Sequence, residues 1–131
     1  MIVDTSAVLA VFLREPDADM YRDLIGKTID LRMSAGSFVE LAAVSSRRFG
    51  GVHDGTLDAM IAGWRIRIVP VTTTQAHLAR AACRTYGIGT GHPARLNFGD
   101  CFAYALSKET GEPLLFKGGG FGLTDIVPAL R

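Results

Sequence analysis

Apolar and polar positions alternate between two periods along the chain, and each change of period marks an element. Ile2-Val3 is a β-branched pair that stops at Asp4, after which Thr5-Ser6 lead into the helical pattern Ala7-Val8-Leu9, Val11-Phe12-Leu13, ending near Arg14-Glu15-Pro16. A short strand delivering a carboxylate to its own C-terminal end is expected, with Thr5 and Ser6 able to cap the helix that follows. A second helix is expected from Asp19 to Ile25, stopped by Gly26, so that the two form a hairpin. Leu31 to Met33 reads as a brief strand, and Ser34 as the cap of a helix through Phe38-Val39-Glu40-Leu41-Ala42-Ala43-Val44 to Phe49, closed by Gly50-Gly51.

Gly55 to Trp64 is amphipathic and helical in period, and Ile66 to Val71 is the clearest strand, pushed toward a sheet edge by Pro70. Thr72 to Thr74 open another helix, which runs to Tyr86 and stops at Gly87; residues 87–95 are a loop by composition. Asn97 starts a helix to about Lys108, Leu114-Leu115-Phe116 is the last strand, and Gly118-Gly119-Gly120 leads to a polar-capped ending at Thr124-Asp125-Ile126. Strands alternating with helices predict an α/β three-layer sandwich around a mostly parallel central sheet, as a single domain over residues 1–131.

Composition narrows the class. With 48% hydrophobic and 21% charged residues the chain is an ordinary globular one, and its formal net charge of +1 lacks the large basic footprint of many nucleic-acid binders. Cys83 and Cys101 stand apart in sequence from each other and from His53, His77 and His92, which excludes a zinc or CxxC spacing and suggests reduced thiols. There is no basic leader and no membrane-length apolar run, so a soluble, cytoplasmic protein is expected.

Three acids are out of place on packing grounds. Asp4 is either a helix cap or, if Thr5 and Ser6 cap, a free carboxylate at a strand tip, where open α/β sheets place their ligands. Glu40 is the only polar side chain between Phe38 and Val44, with Gly36, Ser37, Ala43 and Val44 as its helical neighbours and no Lys or Arg to pair with. It is either an ordinary exposed glutamate or a covered one that needs a partner. Asp100 is the only ionised group between Arg95 and Lys108; it either forms a capping box with Asn97 or joins the other two. Carboxylates crowded together repel unless a cation neutralises them, and oxygen-only ligands suit Mg²⁺ or Mn²⁺ better than zinc. Such an ion supports hydrolysis of a phosphodiester.

At these residues the sequence resembles the PIN-domain proteins, and within them the VapC-type toxins of bacterial toxin–antitoxin pairs. The resemblance is carried, in order, by Ile2-Val3-Asp4-Thr5-Ser6-Ala7, by the helix with Glu40, and by Asn97-Phe98-Gly99-Asp100-Cys101-Phe102-Ala103-Tyr104-Ala105. Pro113-Leu114-Leu115-Phe116-Lys117-Gly118 and Thr124-Asp125-Ile126 complete it. It implies a Mg²⁺- or Mn²⁺-dependent endoribonuclease cutting a tRNA or rRNA, a homodimer, silenced by a cognate VapB-type antitoxin. Carried over by position, Asp4 and Asp100 are the metal ligands, and Glu40 is a third catalytic acid. One departure stands out: Gly119-Gly120 precede Phe121 where the family usually has an acid, which leaves Asp125 as the nearest substitute, while its place after Thr124 equally suggests a helix cap. Arg14, Arg47, Arg48, Arg80, Arg84 and Arg95 are candidate phosphate contacts or plain surface charges.

Two other classes remain. A catalytically inactive PIN-like module would bind antitoxin or RNA without cutting it. An unrelated phospho-accepting receiver domain would use Asp4 with Lys117 beside it.

Overall fold

In the computed structural model, which describes residues 1–131, four strands and six helices alternate along the chain. In order they are β1 (Ile2–Val3), α1 (Thr5–Phe12), α2 (Ala18–Lys27), β2 (Arg32–Ser34), α3 (Ala35–Phe49), α4 (Asp54–Gly63), β3 (Arg67–Val69), α5 (Thr73–Tyr86), α6 (Asp100–Thr110) and β4 (Leu114–Leu115), followed by a 3₁₀ turn at Phe121–Leu123. The strands lie in the order β3-β2-β1-β4 and every pairing is parallel.

Strands of two or three residues hold a sheet here because every side chain on β1 and β4, and Met33 and Ser34 on β2, is buried. Successive side chains point to opposite faces, and the register sets Ile2 beside Leu114 and Val3 beside Leu115. Ile2 and Leu114 face Ala82 of α5 and Cys101, Ala103, Tyr104 and Leu106 of α6. Val3 and Leu115 face the other way, with Met33, into a core shared with α1, α2, α3 and α4. Two cores separated by one sheet make the expected three-layer sandwich. A parallel sheet covered on both faces has no polar side, so its strands read as short apolar runs without alternation.

At the N-terminal edge of the sheet the Met1 amine and the Arg32 guanidinium both pair with Glu112. The opposite, C-terminal edge carries Asp4.

Among the boundaries that differ from expectation, three stand out. The strand expected over Ile66 to Val71 shortens to Arg67–Val69, because β3 has one neighbour only and Pro70 has no N–H to donate. Gly26 lies inside the last turn of α2 and does not end it. Helix α6 begins at Asp100, with Asn97 capping it from outside.

Leu115 is fully buried in the centre of the sheet. Leu115→Ala is expected to lower unfolding free energy by about 3 kcal/mol, read from urea denaturation midpoints.

Candidate active site

Asp4 follows β1 directly and is the N-cap of α1. Thr5 and Ser6, expected as alternative caps, are instead the first helical residues, since a cap needs extended backbone and Asp4 has it, at φ −87° and ψ 157°. The cap uses a single oxygen. Asp4 Oδ2 accepts from the Ser6 amide at 3.0 Å and from the Ser6 hydroxyl at 2.6 Å. That hydroxyl in turn accepts from the Lys117 amide at 2.9 Å, beyond the end of β4. The second oxygen, Oδ1, is buried and has no hydrogen-bond partner. A carboxylate 2% exposed with an orphaned oxygen is an arrangement proteins rarely leave unpaired.

Asp100 also fulfils its structural reading. It donates its amide to Asn97 Oδ1 and accepts from the Asn97 amide through Oδ2, both at 2.8 Å, which is a reciprocal capping box. The turn holds the carboxylate at the N-terminal end of α6, facing the other acids.

Glu40 reaches the same place from α3. Its Oε2 lies 3.4 Å from the Thr5 hydroxyl, which donates to the Ser37 carbonyl at 3.0 Å. Two glycines let α3 and α6 come this close. A Cβ on Gly99 would sit 2.1 Å from Glu40 Cδ, and a Cβ on Gly36 would sit 2.3 Å from the Phe102 ring.

The charges confirm that the three acids share one locality. Burial raises Asp4 above the usual carboxylate range, against the lowering effect of its Ser6 and Thr5 hydrogen bonds. Glu40 is pushed up to about 7, first by burial and then by the charges of Asp4 and Asp100. Asp100 is pushed up to about 6, mainly by burial, with the Asn97 amide opposing and Asp4 adding to the rise. No three acid, histidine or cysteine side chains close into a cage around a point. Glu40 still feels the charges of both Asp4 and Asp100, and oxygen-only side chains of this kind suit a hard cation that keeps several of its waters. The orphaned Oδ1 of Asp4 and the mutual repulsion both fit a bound cation.

Other candidates lie elsewhere. Asp125 is occupied by the Tyr104 hydroxyl and the Lys108 amine, each at 2.8 Å, and the Lys108 contact lowers its pKa. It neither caps a helix nor replaces the acid that is glycine at 119–120. Lys117 pairs with Glu15 and Asp17, not with Asp4, which removes the basis of a receiver-type site. His92 accepts the Ala94 amide through Nδ1 at 3.1 Å and stacks edge-on against Tyr86, a turn-forming role. Cys83 and Cys101, far apart in sequence, meet across α5 and α6 with their sulfurs 2.9 Å apart.

Of the arginines, Arg47 lines the cavity beside Glu40, while Arg80 and Arg84 line an adjoining one. Sequence reasoning missed Thr5, Ser6, Gly36 and Gly99 as site residues. The only hint was that two hydroxyls directly follow Asp4.

Two tests follow from this geometry. All three acids keep their protons more tightly in the folded chain, so folding stability is greatest below their unfolded pKa values and falls as pH rises toward 7. In EDTA the melting temperature should drop by about 5 °C between about pH 5 and pH 8, allowing for solvent screening of Glu40 and Asp100. Mg²⁺ or Mn²⁺ should restore most of the loss at the higher pH, and Glu40→Gln should flatten the profile; a flat wild-type profile would contradict the repulsion. Second, Gly99→Ala should displace the Glu40 carboxylate, whose flexible stem can yield. Stability should stay within about 1 kcal/mol while any activity of the site falls about tenfold or more, in parallel thermal and activity assays.

Comparison with known proteins bears on the family and the fold. A family profile described as PIN domain matches residues 1–126. The chain is 45% identical over 130 residues to ribonuclease VapC28 of Mycobacterium tuberculosis, covering 99% of this chain and 98% of the relative. It is 44% identical over 129 residues to ribonuclease VapC42 of the same species, covering 98% of each. Ribonuclease VapC of Mycolicibacterium smegmatis is 44% identical over 126 residues, covering 96% of this chain and 97% of the relative. Among solved structures, M. tuberculosis VapC20, described as a sarcin–ricin loop cleaving toxin, superposes with a TM-score of 0.73 over 96% of this chain and 95% of that one, at 18% identity, which shows a common fold. With its sheet order, its three gathered acids and these near-full-length relatives, the chain belongs to the PIN-domain family, in its VapC branch.

Proposed function

We propose that this VapC-type endoribonuclease hydrolyses RNA phosphodiester bonds with a divalent cation, Mg²⁺ or Mn²⁺, held by Asp4 and Asp100 with Glu40 as a third acid. The observation that carries the reading is the orphaned, fully buried Oδ1 of Asp4 within a cluster of mutually repelling carboxylates. A buried carboxylate without a partner is expensive, and a cation is the partner that lowers the energy of all three at once. Bound there, the ion would supply a water of lowered pKa and would stabilise charge in an in-line displacement at phosphorus.

The chain's own residues do the rest. Ser6 fixes the Asp4 carboxylate through Oδ2 and so leaves Oδ1 directed at the site. Asn97 does the same for Asp100 through the capping box. Without a cation Glu40 is pushed up to about 7 by burial and by the charges of Asp4 and Asp100, so near neutral pH it holds a proton beside the Thr5 hydroxyl that a bound cation would displace.

The wider reading takes a tRNA or rRNA as substrate, a homodimer as the assembly, a cognate VapB-type antitoxin as the inhibitor and the cytoplasm as the location. It is supported by the ribonuclease names of the 44–45% identical relatives and is consistent with the finding that no helix is long and apolar enough to cross a membrane. A second reading, an inactive binding module, draws on Gly119-Gly120 in place of an acid and on the engagement of Asp125 with Lys108.

Incubating antitoxin-free protein with total cellular RNA separates the two. Discrete fragments are expected with Mg²⁺ or Mn²⁺, lost in EDTA and reduced by at least about a hundredfold in Asp4→Asn and Asp100→Asn, since loss of even a supporting residue costs about 10–100-fold. Fragments that persist in both variants would place the chemistry elsewhere. Protein that binds cation yet yields no fragments would favour the inactive module.

A further inference from the structure

The carboxylate site opens into a cavity of about 550 Å³ between α3 and the turn that starts α6. Of the three acids Glu40 lines it, so the cavity begins at the carboxylate site. Along α3, Gly36, Glu40, Ala43 and Arg47 are spaced three and four apart and form one face. Gly36 and Ala43 leave it shallow, and Arg47 stands two turns, about 10 Å, beyond Glu40.

Opposite that face stands Phe98, 79% exposed, with Val39 68% exposed on the α3 side. Leaving a phenylalanine in water forgoes about 2 kcal/mol, so a ring held there by the fold calls for an explanation. Phe98 is held. It lies within the turn closed by the reciprocal Asn97–Asp100 hydrogen bonds, and its ring meets Phe102 edge-to-face, at 5.1 Å and 83°. Phe102 is itself seated where only a glycine at 36 leaves room. Edge-to-face contact leaves the flat of an aromatic ring open for stacking.

We propose that this cavity receives one unpaired nucleobase of the RNA, stacked on Phe98, while Arg47 engages a phosphate of the same strand. The proposal rests on the ribonuclease reading and adds to it what the site requires of its substrate: a base turned out of the helix next to the cut. A base inside a duplex has both faces covered and cannot enter, whereas an unstacked base offers a flat surface of the right kind. Charge favours RNA over a protein side chain as the occupant. The cavity is apolar along its walls, basic at one end through Arg47, and at the other end continuous with a site for phosphate chemistry.

The test uses a short single-stranded oligoribonucleotide carrying a fluorescent aminopurine, titrated with full-length Asp4→Asn protein in Mg²⁺ so that binding is read without cleavage. Quenching of the fluorophore is expected on binding, and much weaker binding when the same sequence is annealed into a duplex. Adding Phe98→Ala should weaken binding by about tenfold and abolish the quench, and Phe98→Trp should retain both. Arg47→Gln should weaken binding and make its log–log salt slope shallower by about 0.7. In otherwise wild-type protein, Phe98→Ala should raise KM more than it lowers kcat.

Unchanged affinity and quench in Phe98→Ala, or equal binding of the duplex, would overturn the proposal. So would a Phe98→Ala protein that loses self-association in sedimentation while keeping its RNA affinity, because the ring would then belong to a protein interface. Binding that depends on Phe98 without metal-dependent cleavage by otherwise wild-type protein would refute the ribonuclease reading and leave the stacking site standing. Cleavage indifferent to Phe98 would do the reverse.

Discussion

The distance between α3 and α6 governs this molecule. Glu40 belongs to one helix and Asp100 to the other, and they become neighbours only because Gly99 has no side chain where the Glu40 carboxylate lies. Gly36 does the same for the Phe102 ring one turn away. A methyl group at Gly99 would push the Glu40 carboxylate aside, and one at Gly36 would collide with the Phe102 ring. The sheet below fixes the third acid independently, because Asp4 is tied through its amide to the Leu115 carbonyl at 2.9 Å and cannot follow a shift of either helix. The site is thus a junction between a rigid strand tip and two helices whose approach is set by missing atoms.

Such a junction is assembled against electrostatic resistance. Burial and mutual repulsion both favour the protonated forms of the three acids, so the fold without cation holds unfavourable charge at neutral pH. Hydrogen bonding offsets part of this, through Ser6 on Asp4 and Asn97 on Asp100. It does so on one oxygen of each carboxylate and leaves the other without a partner, so the structural role of each acid does not use up its ligand capacity. The capping reading and the ligand reading of Asp4 and Asp100 were never alternatives. A carboxylate has two oxygens, and each of these acids caps a helix with one of them.

The same division explains what was legible in the sequence. Ile2-Val3-Asp4 and Leu114-Leu115 announce buried parallel strands because β-branched and leucine runs too short for a helix have nowhere else to go. The cap at Ser34 follows from side-chain chemistry within two residues and lies where expected, and of the three threonines expected to open the next helix it is Thr72 that caps it. Helix–helix approach leaves no such local trace: Gly99 reads as loop and Gly36 as an ordinary helical glycine until α3 and α6 are laid against each other. Cys83 and Cys101 are the same case, since residues 18 apart meet only through the α5–α6 packing. Asp125 misled for the opposite reason. Following Thr124 it looked like a cap, but its partners Tyr104 and Lys108 lie on α6 and are invisible to a local reading.

Net charge is a poor guide to what this surface binds. A total of +1 counts Asp4, Glu40 and Asp100 as full negative charges, yet burial raises all three, the charge of Asp4 adds to the rise of Glu40 and Asp100, and a cation at the site would offset what remains. Around them, Arg47, Arg80 and Arg84 line the two adjoining cavities. A phosphate backbone at the mouth of the site would thus meet three arginines gathered within two adjoining cavities. Few cations are needed if an aromatic ring supplies part of the affinity, because stacking is insensitive to salt and tolerant of sequence. A protein built this way recognises an exposed base by shape and surface and leaves the charge to a few arginines, which is how a nearly neutral domain can still act on a polyanion.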